Sequence, residues 1–231
     1  MRRTCRVGAL GYAWAPKGGK VKQGGKKRAA GDDAGGGARS GKSPSRILRI
    51  IGGVHRGRRL RFPAGVEIRP TPDRVRETLF NWLQPRIASA RVLDLFAGSG
   101  ALGLEALSRG AAQVTFVEQD RRAAVAIEAV AGEWQQPGAN VICADALRWL
   151  SQLSSRSGVA GPFDIVFLDP PYDSTLLTNA AAALTAAGLL AADARVYVER
   201  RARDPMAALP AHWQELRSGR AGEVGYHLFS V

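Results

Sequence analysis

The sequence of 231 residues is poor in the residue types that build disulfide frameworks and metal centres. It has two cysteines, Cys5 and Cys143, and three histidines. The cysteines show neither a disulfide framework nor a metal-ligand spacing, so we expect no metal site and a reducing compartment. No run of 18 apolar residues occurs, which predicts no membrane span. The basic start and short apolar stretch weakly resemble a signal peptide, but two glycines interrupt the stretch, and we expect a cytoplasmic protein.

Lysine is absent after Lys42, and positive charge is concentrated near the N-terminus. Residues 1–76 hold 20 of the 33 basic residues and 4 of the 20 acidic ones, a net charge of +16, whereas the remaining residues carry −3. A near-neutral body with a strongly basic N-terminal third is typical of proteins that bind a polyanion. Nucleic acid is favoured over a membrane surface, because the sequence shows no basic amphipathic helix.

The basic N-terminal third divides into two parts. Residues 1–45 are rich in Gly, Lys, Arg and Ala and have almost no aliphatic pattern, which predicts a disordered basic tail. Residues 46–68 contain ILRIIGGVHRGRRLRFP, which alternates around Gly52 and Gly53 and predicts a basic β-hairpin. The arginines of this segment that we expect to contact nucleic acid are Arg49, Arg56, Arg58, Arg59 and Arg61.

The remaining segment, 69–231, has the rhythm of an α/β domain. RPTPDRVRETLFNWL predicts a helix that Thr71 can cap, with Pro72 at its first position. Strands and helices then alternate, which predicts a Rossmann-like, mostly parallel, doubly wound sheet. Two C-terminal strands joined near Gly222 are expected to add an antiparallel edge. The predicted strands are 91–95, 113–118, 140–143, 164–169 and 195–199, and the predicted helices are 101–109, 121–132, 145–153 and 174–187.

A glycine-rich turn follows the first strand of this domain. VLDLFAGSGALGLEALSRG places Gly98, Gly100 and Gly103 between an apolar run and a helix, and Glu118 lies twenty residues beyond Gly98. This spacing is typical of a dinucleotide fingerprint, in which the acid holds the ribose. Asp94 just before the turn would repel a pyrophosphate. It would suit a cofactor with a cationic amino-acid end, such as S-adenosylmethionine (SAM), although a turn-capping role for Asp94 is the alternative.

A second motif, Asp169-Pro-Pro-Tyr172, ends the apolar strand FDIVFL. Two consecutive prolines cannot continue a central strand and fix a rigid, extended turn. The Asp169 carboxylate and the Pro170 carbonyl then form two acceptors beside one aromatic face, at the edge where ligands bind in such folds. This arrangement suits a planar base with an exocyclic amine, stacked on Tyr172.

These motifs resemble those of class I SAM-dependent methyltransferases that modify exocyclic amines. RIIGGVHRGRRL, RPTPDRVRETLFNWL and LDLFAGSGALGLEALSRGA more narrowly resemble the RsmD family, whose members methylate N2 of a guanine in bacterial 16S ribosomal RNA. The resemblance covers residues 46–231 and implies the class I SAM methyltransferase fold over that domain. It implies that Gly98 and Gly100 line the methionyl part of SAM and that Glu118 holds its ribose. It also implies that Thr71 and Arg74 lie near the carboxylate of SAM.

The resemblance also implies that Asp145 reaches the adenine amine, although Asp145 could instead cap the following helix. Arg74 could instead contact RNA phosphate. We therefore expect a SAM-dependent RNA methyltransferase whose catalytic residues are Asp169, Pro170 and Tyr172, acting on 16S ribosomal RNA or a small ribosomal subunit particle. The alternatives are an adenine-N6 DNA methyltransferase, which would share the Asp-Pro-Pro-Tyr site, and a non-catalytic RNA-binding ribosome-assembly factor.

Overall fold

The computed structural model describes residues 47–61, 71–153, 162–172 and 175–231. The predicted disordered tail, 1–45, lies outside the described residues, as do residues 46 and 62–68 of the predicted hairpin segment. The strands are β1 (Ile47–Arg49), β2 (Arg59–Arg61), β3 (Arg91–Asp94), β4 (Gln113–Glu118), β5 (Ala139–Cys143), β6 (Phe163–Leu168), β7 (Leu190–Arg201), β8 (Gln214–Ala221) and β9 (Val224–Ser230). The helices are α1 (Asp73–Leu83), α2 (Ala101–Ser108), α3 (Arg121–Glu133), α4 (Ala146–Leu153) and α5 (Leu176–Ala186).

Seven strands form one mixed sheet in the order β5-β4-β3-β6-β7-β9-β8. The first five in that order run parallel, and β9 pairs antiparallel with both β7 and β8. The predicted mostly parallel sheet with an antiparallel C-terminal edge is therefore confirmed. Because the strand order reverses between β3 and β6, the sheet has the switch point at which ligands bind in doubly wound folds.

Alternate side chains of the strands fill two hydrophobic cores, one on each face of the sheet. Phe116, Phe167 and Tyr197 face the core that α1, α2 and α3 cover. Val166 and Val198 face the core that α4 and α5 cover. Strands buried on both faces explain the long apolar runs that the sequence shows. None of the helices within the described ranges is long and apolar enough to cross a bilayer.

The N-terminal strands β1 and β2 form a separate antiparallel pair, as predicted. The expected turn at Gly52-Gly53 is wrong, because residues 50–58 form a longer connection that docks on α2. The Glu105 carboxylate accepts hydrogen bonds from the backbone N–H groups of Ile51 and Gly52 at 2.8 and 2.7 Å. A Cβ on Gly53 would lie 1.8 Å from the Ser108 carbonyl oxygen, so this approach requires glycine.

Buried charged side chains also hold the hairpin against α2. The Glu105 carboxylate also accepts a hydrogen bond from Nε of Arg109 at 2.8 Å and lies 3.6 Å from the Arg76 guanidinium. Arg76 and Glu105 are both completely buried. Arg76 also donates to the Arg49 carbonyl and to Asp73, at 2.9 and 2.6 Å. Helices α1 and α2 and the hairpin are thus joined through one network of charge-assisted hydrogen bonds and a buried ion pair between Arg76 and Glu105.

The start of α1 differs from the prediction. Pro72 is the N-cap residue, and the helix has no side-chain cap. The expectation that Thr71 caps this helix is therefore wrong. Thr71 is buried, and its hydroxyl donates instead to Oε1 of Glu199 at 2.8 Å. The extended backbone of Pro72 directs Thr71 toward the end of β7 rather than toward the N–H groups of α1.

Candidate cofactor and base site

A cavity of about 750 Å³ lies at the carboxyl ends of β3, β4, β6 and β7. Eight of the ten residues predicted to be catalytic or cofactor-binding line it. They are Thr71, Asp94, Gly98, Glu118, Asp145, Asp169, Pro170 and Tyr172. The structure thus brings Gly98 of the glycine turn and Asp169 of the Asp-Pro-Pro-Tyr turn, 71 positions apart in sequence, into one pocket. The cavity is large enough for a drug-sized ligand.

The glycine turn has the backbone conformation that its sequence requires. Gly98 and Gly100 have φ values of +52° and +69°, in the left-handed region that favours glycine. Gly100 is the N-cap residue of α2 and is not among the described residues that line the cavity. The turn therefore aims the N-terminal end of α2 at the cavity, with Gly98 at the wall and Gly100 behind it.

Glu118 fastens this turn to the neighbouring strand. Its carboxylate accepts hydrogen bonds from the backbone N–H groups of Gly98 at 2.6 Å and Asp120 at 2.7 Å. Burial raises the pKa of Glu118, and these two backbone bonds oppose the rise. Each carboxylate oxygen can accept a further hydrogen bond. The carboxylate thus shapes the turn and keeps acceptor capacity toward the cavity.

Asp94 lies beneath the turn at the end of β3. It is buried, and Oδ2 accepts a hydrogen bond from the Gly103 backbone N–H at 2.9 Å. Burial raises the pKa of Asp94 to about 7, and the charges of Glu118 and Glu199 add to the rise, while the Gly103 bond opposes it. The alternative role of Asp94 as a turn residue is therefore visible in the structure, together with its place at the cavity wall. A cation entering the cavity would favour the ionised carboxylate.

The charge of the cavity wall discriminates between ligand classes. Among the described residues that line the cavity, seven are Asp or Glu and none is Lys, Arg or His. Besides the acids introduced above, they include Asp120, Glu199 and Glu223. Within the described part of the wall a pyrophosphate would meet like charge and no basic side chain, whereas a ligand with ammonium and sulfonium groups would meet opposite charge. This distribution favours a cationic ligand over a dinucleotide.

Asp145 makes the helix-capping contact considered for it and also lies at the cavity wall. Oδ1 accepts a hydrogen bond from the Arg148 backbone N–H at 2.9 Å, as a helix-capping residue does. Asp145 also lines the cavity. The cap fixes the carboxylate at the cavity wall, so the capping contact is compatible with binding a ligand amine.

The Asp-Pro-Pro-Tyr turn begins directly after β6. Asp169, Pro170, Pro171 and Tyr172 all line the cavity. The guanidinium of Arg201 lies 5.6 Å from the centre of the Tyr172 ring, within the range of a cation–π contact. The aromatic face beside the two predicted acceptors is therefore held by an arginine from β7.

Glu199 is a cavity residue that the sequence reasoning missed. It lies near the end of β7, is only 3% exposed, and lines the cavity. The hydroxyls of Thr71 and Tyr197 both donate to its Oε1 at 2.8 Å. A signal was available, because the predicted strand 195–199 ends in a carboxylate at the edge where ligands bind.

Arg74 is exposed on α1 and is not among the described residues that line the cavity. Its backbone carbonyl accepts a hydrogen bond from the Thr78 hydroxyl at 2.9 Å. Its assignment to the carboxylate end of the cofactor stays a prediction, and its exposure is compatible with the alternative, a contact with phosphate.

The predicted RNA-contacting arginines lie on the hairpin. Arg49, Arg56, Arg58 and Arg59 are exposed, and Arg61 ends β2. Arg49 and Arg59 are directly opposite in the β1–β2 register, and like charges in that arrangement repel. Arg58 is partly engaged, lying 3.5 Å from Glu133 and 5.9 Å from the centre of the Trp134 ring. A polyanion would relieve the repulsion between Arg49 and Arg59.

We looked for metal-ligand clusters in the part of the chain that the structure describes. No group of three or more His, Cys, Asp or Glu side chains there could hold a metal ion.

Comparison with known proteins gives a consistent set of relatives. The family model described as "Conserved hypothetical protein 95" matches residues 48–230. Ribosomal RNA small subunit methyltransferase D of Escherichia coli (strain K12) is 44% identical over 187 residues, which are 81% of this chain and 91% of the relative. The Haemophilus influenzae protein of the same name is 40% identical over 184 residues, 79% and 93% of the two chains. The solved structure of Escherichia coli yhhF matches with a TM-score of 0.71 and 42% identity, over 80% of this chain and 97% of that chain.

Proposed function

Because the chain belongs to the RsmD family of methyltransferases, we propose that it transfers a methyl group from SAM to N2 of a guanine in small-subunit (16S) ribosomal RNA. The observation that carries the proposal is a single cavity lined by seven acidic side chains, by no basic ones among the described residues, and by the Asp-Pro-Pro-Tyr turn. The acidic wall suits a cationic methyl donor, and the turn suits a planar base with an exocyclic amine.

The residues at the cavity wall fit SAM, whose sulfonium and ammonium groups are cationic. When bound, SAM supplies a methyl group already activated by the positive sulfur. Asp94 would attract the ammonium, and Gly98 and Gly100 would shape the wall around the methionyl part. Glu118 would accept the ribose hydroxyls and Asp145 the adenine amine. Thr71 borders the same cavity, and Arg74 would approach the carboxylate from α1.

The proposed chemistry assigns the base to the Asp169 turn. The lone pair of the guanine amine is delocalised into the ring, so the amine is a poor nucleophile. Hydrogen bonds from its two protons to the Asp169 carboxylate and the Pro170 carbonyl would direct the lone pair at the methyl carbon. Such positioning contributes up to about 7–11 kcal/mol in well-oriented cases. Methyl transfer would form the N–C bond and leave the C–S bonding pair on sulfur, and the Asp169 carboxylate would accept the proton that nitrogen loses.

A guanine inside a duplex cannot reach this cavity, so the target must be looped out or flipped. Tyr172 would stack on the extruded ring, which contributes roughly 1–3 kcal/mol per base in comparable sites. The hairpin arginines Arg49, Arg56, Arg58, Arg59 and Arg61 would contact phosphates of the RNA or of a small-subunit particle. A cytoplasmic location, where ribosomes assemble, follows from this proposal.

Mass mapping of modified nucleosides in 16S ribosomal RNA tests the proposal in cells. A strain that lacks the gene should lose one N2-methylguanosine, and the wild-type gene should restore it. A gene carrying Asp169→Ala should not restore it, although the protein accumulates to the same level. An unchanged set of modified nucleosides in the deletion strain would contradict the proposal. Restoration by Asp169→Ala would favour a non-catalytic assembly role.

A further inference from the structure

Two turns from the C-terminal strands meet at the mouth of the cavity. The turn between β8 and β9, residues 221–224, lines the cavity together with the Asp-Pro-Pro-Tyr turn. Gly222 and Glu223 are exposed, so this turn lies where the cavity opens to solvent. The chain turns again over residues 201–204, where the backbone N–H of Ala202 donates to the Glu223 carbonyl at 2.7 Å. Residues 201–204 and 220–224 together form a surface that we call the C-terminal rim.

Side chains beneath the C-terminal rim hold it in one shape. The Arg200 guanidinium donates to the backbone carbonyls of Arg201 and Asp204. Its Nε also donates to Nε2 of His227 at 3.2 Å. Because that ring nitrogen accepts, Nδ1 of His227 carries the proton and donates to the Glu215 carboxylate at 2.8 Å. One chain of polar contacts thus crosses β7, β9 and β8 and makes the rim a preorganised surface.

Two exposed arginines extend from this surface. The Arg203 side chain is 72% exposed, and its Nε lies 3.9 Å from the carboxylate of Asp204. Arg220 is also exposed, and its Nε donates to the Gly222 carbonyl at 3.0 Å, which holds the side chain against the turn. A guanidinium has five N–H donors, and its outer donors suit a phosphate. The acidic cavity therefore has a basic rim on this side.

The loop of the N-terminal hairpin lies at a different place. Helix α2 begins at the cavity, where Ala101 lines the wall, and ends at Ser108. The backbone N–H groups of Val54 and His55 donate to the carbonyl and hydroxyl oxygens of Ser108 at 2.8 and 3.0 Å. A helix of eight residues is about 12 Å long. The loop 50–58 thus docks at the end of α2 away from the cavity, and phosphates beside a base in the cavity would lie nearer to the C-terminal rim.

We propose that Arg203 and Arg220 of the C-terminal rim bind the RNA phosphates that flank the looped-out target nucleotide. This inference rests on the proposed function. A base that enters an acidic cavity brings its own phosphates toward carboxylates, which repel them. Positive charge fixed at the mouth offsets this repulsion and gives the RNA backbone a defined position.

The salt dependence of methyl transfer tests the inference. The value of kcat/KM is measured on the form of small-subunit RNA, free or in particles, that the wild type methylates, between about 50 and about 200 mM salt. Each lost phosphate contact should lower the slope of log kcat/KM against log salt concentration by about 0.7–0.9. Arg203→Gln and Arg220→Gln should each show this decrease, mainly through a higher KM, and the double variant about twice as much. An unchanged slope in the double variant would overturn the inference.

Arg86→Gln is the matched control, because Arg86 is exposed as well and its replacement changes the net charge by the same amount. Arg86 pairs with Asp193 near the start of β7, at the end of this strand away from the cavity. Its slope should equal that of the wild type, and an equal decrease would reduce the effect to net charge and overturn the inference. Neither rim arginine lines the cavity, so SAM affinity, measured by calorimetry, should stay at the wild-type value in every variant that is folded.

Two further outcomes separate the inference from its alternatives. If the methylated form is the particle, the same decrease in slope should appear in binding to protein-free small-subunit RNA. Its absence there would assign the C-terminal rim to a ribosomal protein and overturn the inference. If the wild type makes N2-methylguanosine and the slopes do not move, the inference about the rim fails alone. If the wild type makes none, the proposed function fails and the inference with it.

Discussion

The Glu118 carboxylate at the end of β4 accepts a hydrogen bond of 2.6 Å from the backbone N–H of Gly98 in the turn after β3. The acid expected to hold a ribose is therefore also the residue that fixes the glycine turn. The proposed ribose contact of Glu118 would therefore couple ligand binding to the shape of the turn. A substitution at Glu118 should weaken SAM binding both by removing the ribose contact and by loosening the glycine turn.

Glu118→Ala should weaken SAM binding by about 1.5–3 kcal/mol, the range for hydrogen bonds to a charged acceptor. Isothermal titration calorimetry with SAM measures the change. Glu128→Ala is the matched control, because Glu128 is an exposed acid on α3, and it should bind SAM like the wild type. Unchanged affinity in Glu118→Ala would remove this residue from the site.

Asp94 should make stability fall as pH rises. Burial raises its pKa from 3.8 to about 7 in the folded protein, so the folded state holds a proton that the unfolded state loses. Between about pH 4 and about pH 7 the unfolded state binds fewer protons than the folded state, so the free energy of unfolding falls as pH rises. Asp94→Asn removes this group, and Asn can still accept from Gly103.

Urea unfolding of wild type and Asp94→Asn across this range isolates the effect, because the other titrating groups are shared. The wild type should lose free energy of unfolding relative to the variant as pH rises toward about 7, and the difference should then level off. A difference that grows in favour of the wild type with rising pH would mean that the Asp94 pKa is lowered in the folded state.

Glu105→Gln should destabilise the fold strongly. The substitution leaves the completely buried Arg76 guanidinium without its nearest buried counter-charge and weakens the docking of Ile51 and Gly52. Breaking a buried pair from one side typically costs about 3–5 kcal/mol. Glu133→Gln is the control, because the Glu133–Arg58 pair is exposed and such pairs contribute no more than about 1 kcal/mol. Similar urea midpoints for the two variants would contradict a buried charge network.

Gly103→Ala should destabilise the junction between α2 and the sheet. An added Cβ would lie 2.2 Å from Cε1 of Phe116, and overpacking of this kind costs about 1–3 kcal/mol. Gly132→Ala is a helical control with nothing within 4 Å of its added Cβ. It should stabilise α3 by about 0.5–1 kcal/mol. Thermal unfolding of both variants should give shifts of opposite sign, and equal shifts would show that Gly103 is not required for packing.

The parts of this structure that depend on local pattern were predictable from the sequence. The strand Gln113–Glu118 was expected over 113–118, because its apolar run ends at the acid that the glycine spacing identifies. Asp169 and Tyr172 were assigned to the ligand-binding edge of the sheet because Pro170 and Pro171 between them cannot continue the strand. Motif spacing and the residue types of a turn can be recognised in a sequence without knowledge of the fold.

Contacts between distant residues were not predictable in this way. The bond from Thr71 to Glu199 spans 128 positions and replaces the local helix cap that the sequence suggests. The backbone bonds from Ile51 and Gly52 to Glu105 span 54 and 53 positions. Because the local pattern does not show these contacts, Gly52 and Gly53 were interpreted as a tight hairpin turn. Strand β7 extends over Leu190–Arg201, beyond the predicted 195–199, because its pairing with β6 and β9 sets its ends.

The most direct test of the central claim is the identity of the methylated nucleoside. Purified protein, labelled SAM and small-subunit RNA or particles that lack the modification are incubated, and the digested nucleosides are identified by mass spectrometry. The account predicts N2-methylguanosine from the wild type. It predicts loss of most turnover in Asp169→Ala, mainly in kcat, with SAM affinity nearly intact and some activity left in Asp169→Asn. Labelled N6-methyladenosine from the wild type, or wild-type turnover by Asp169→Ala, would contradict it.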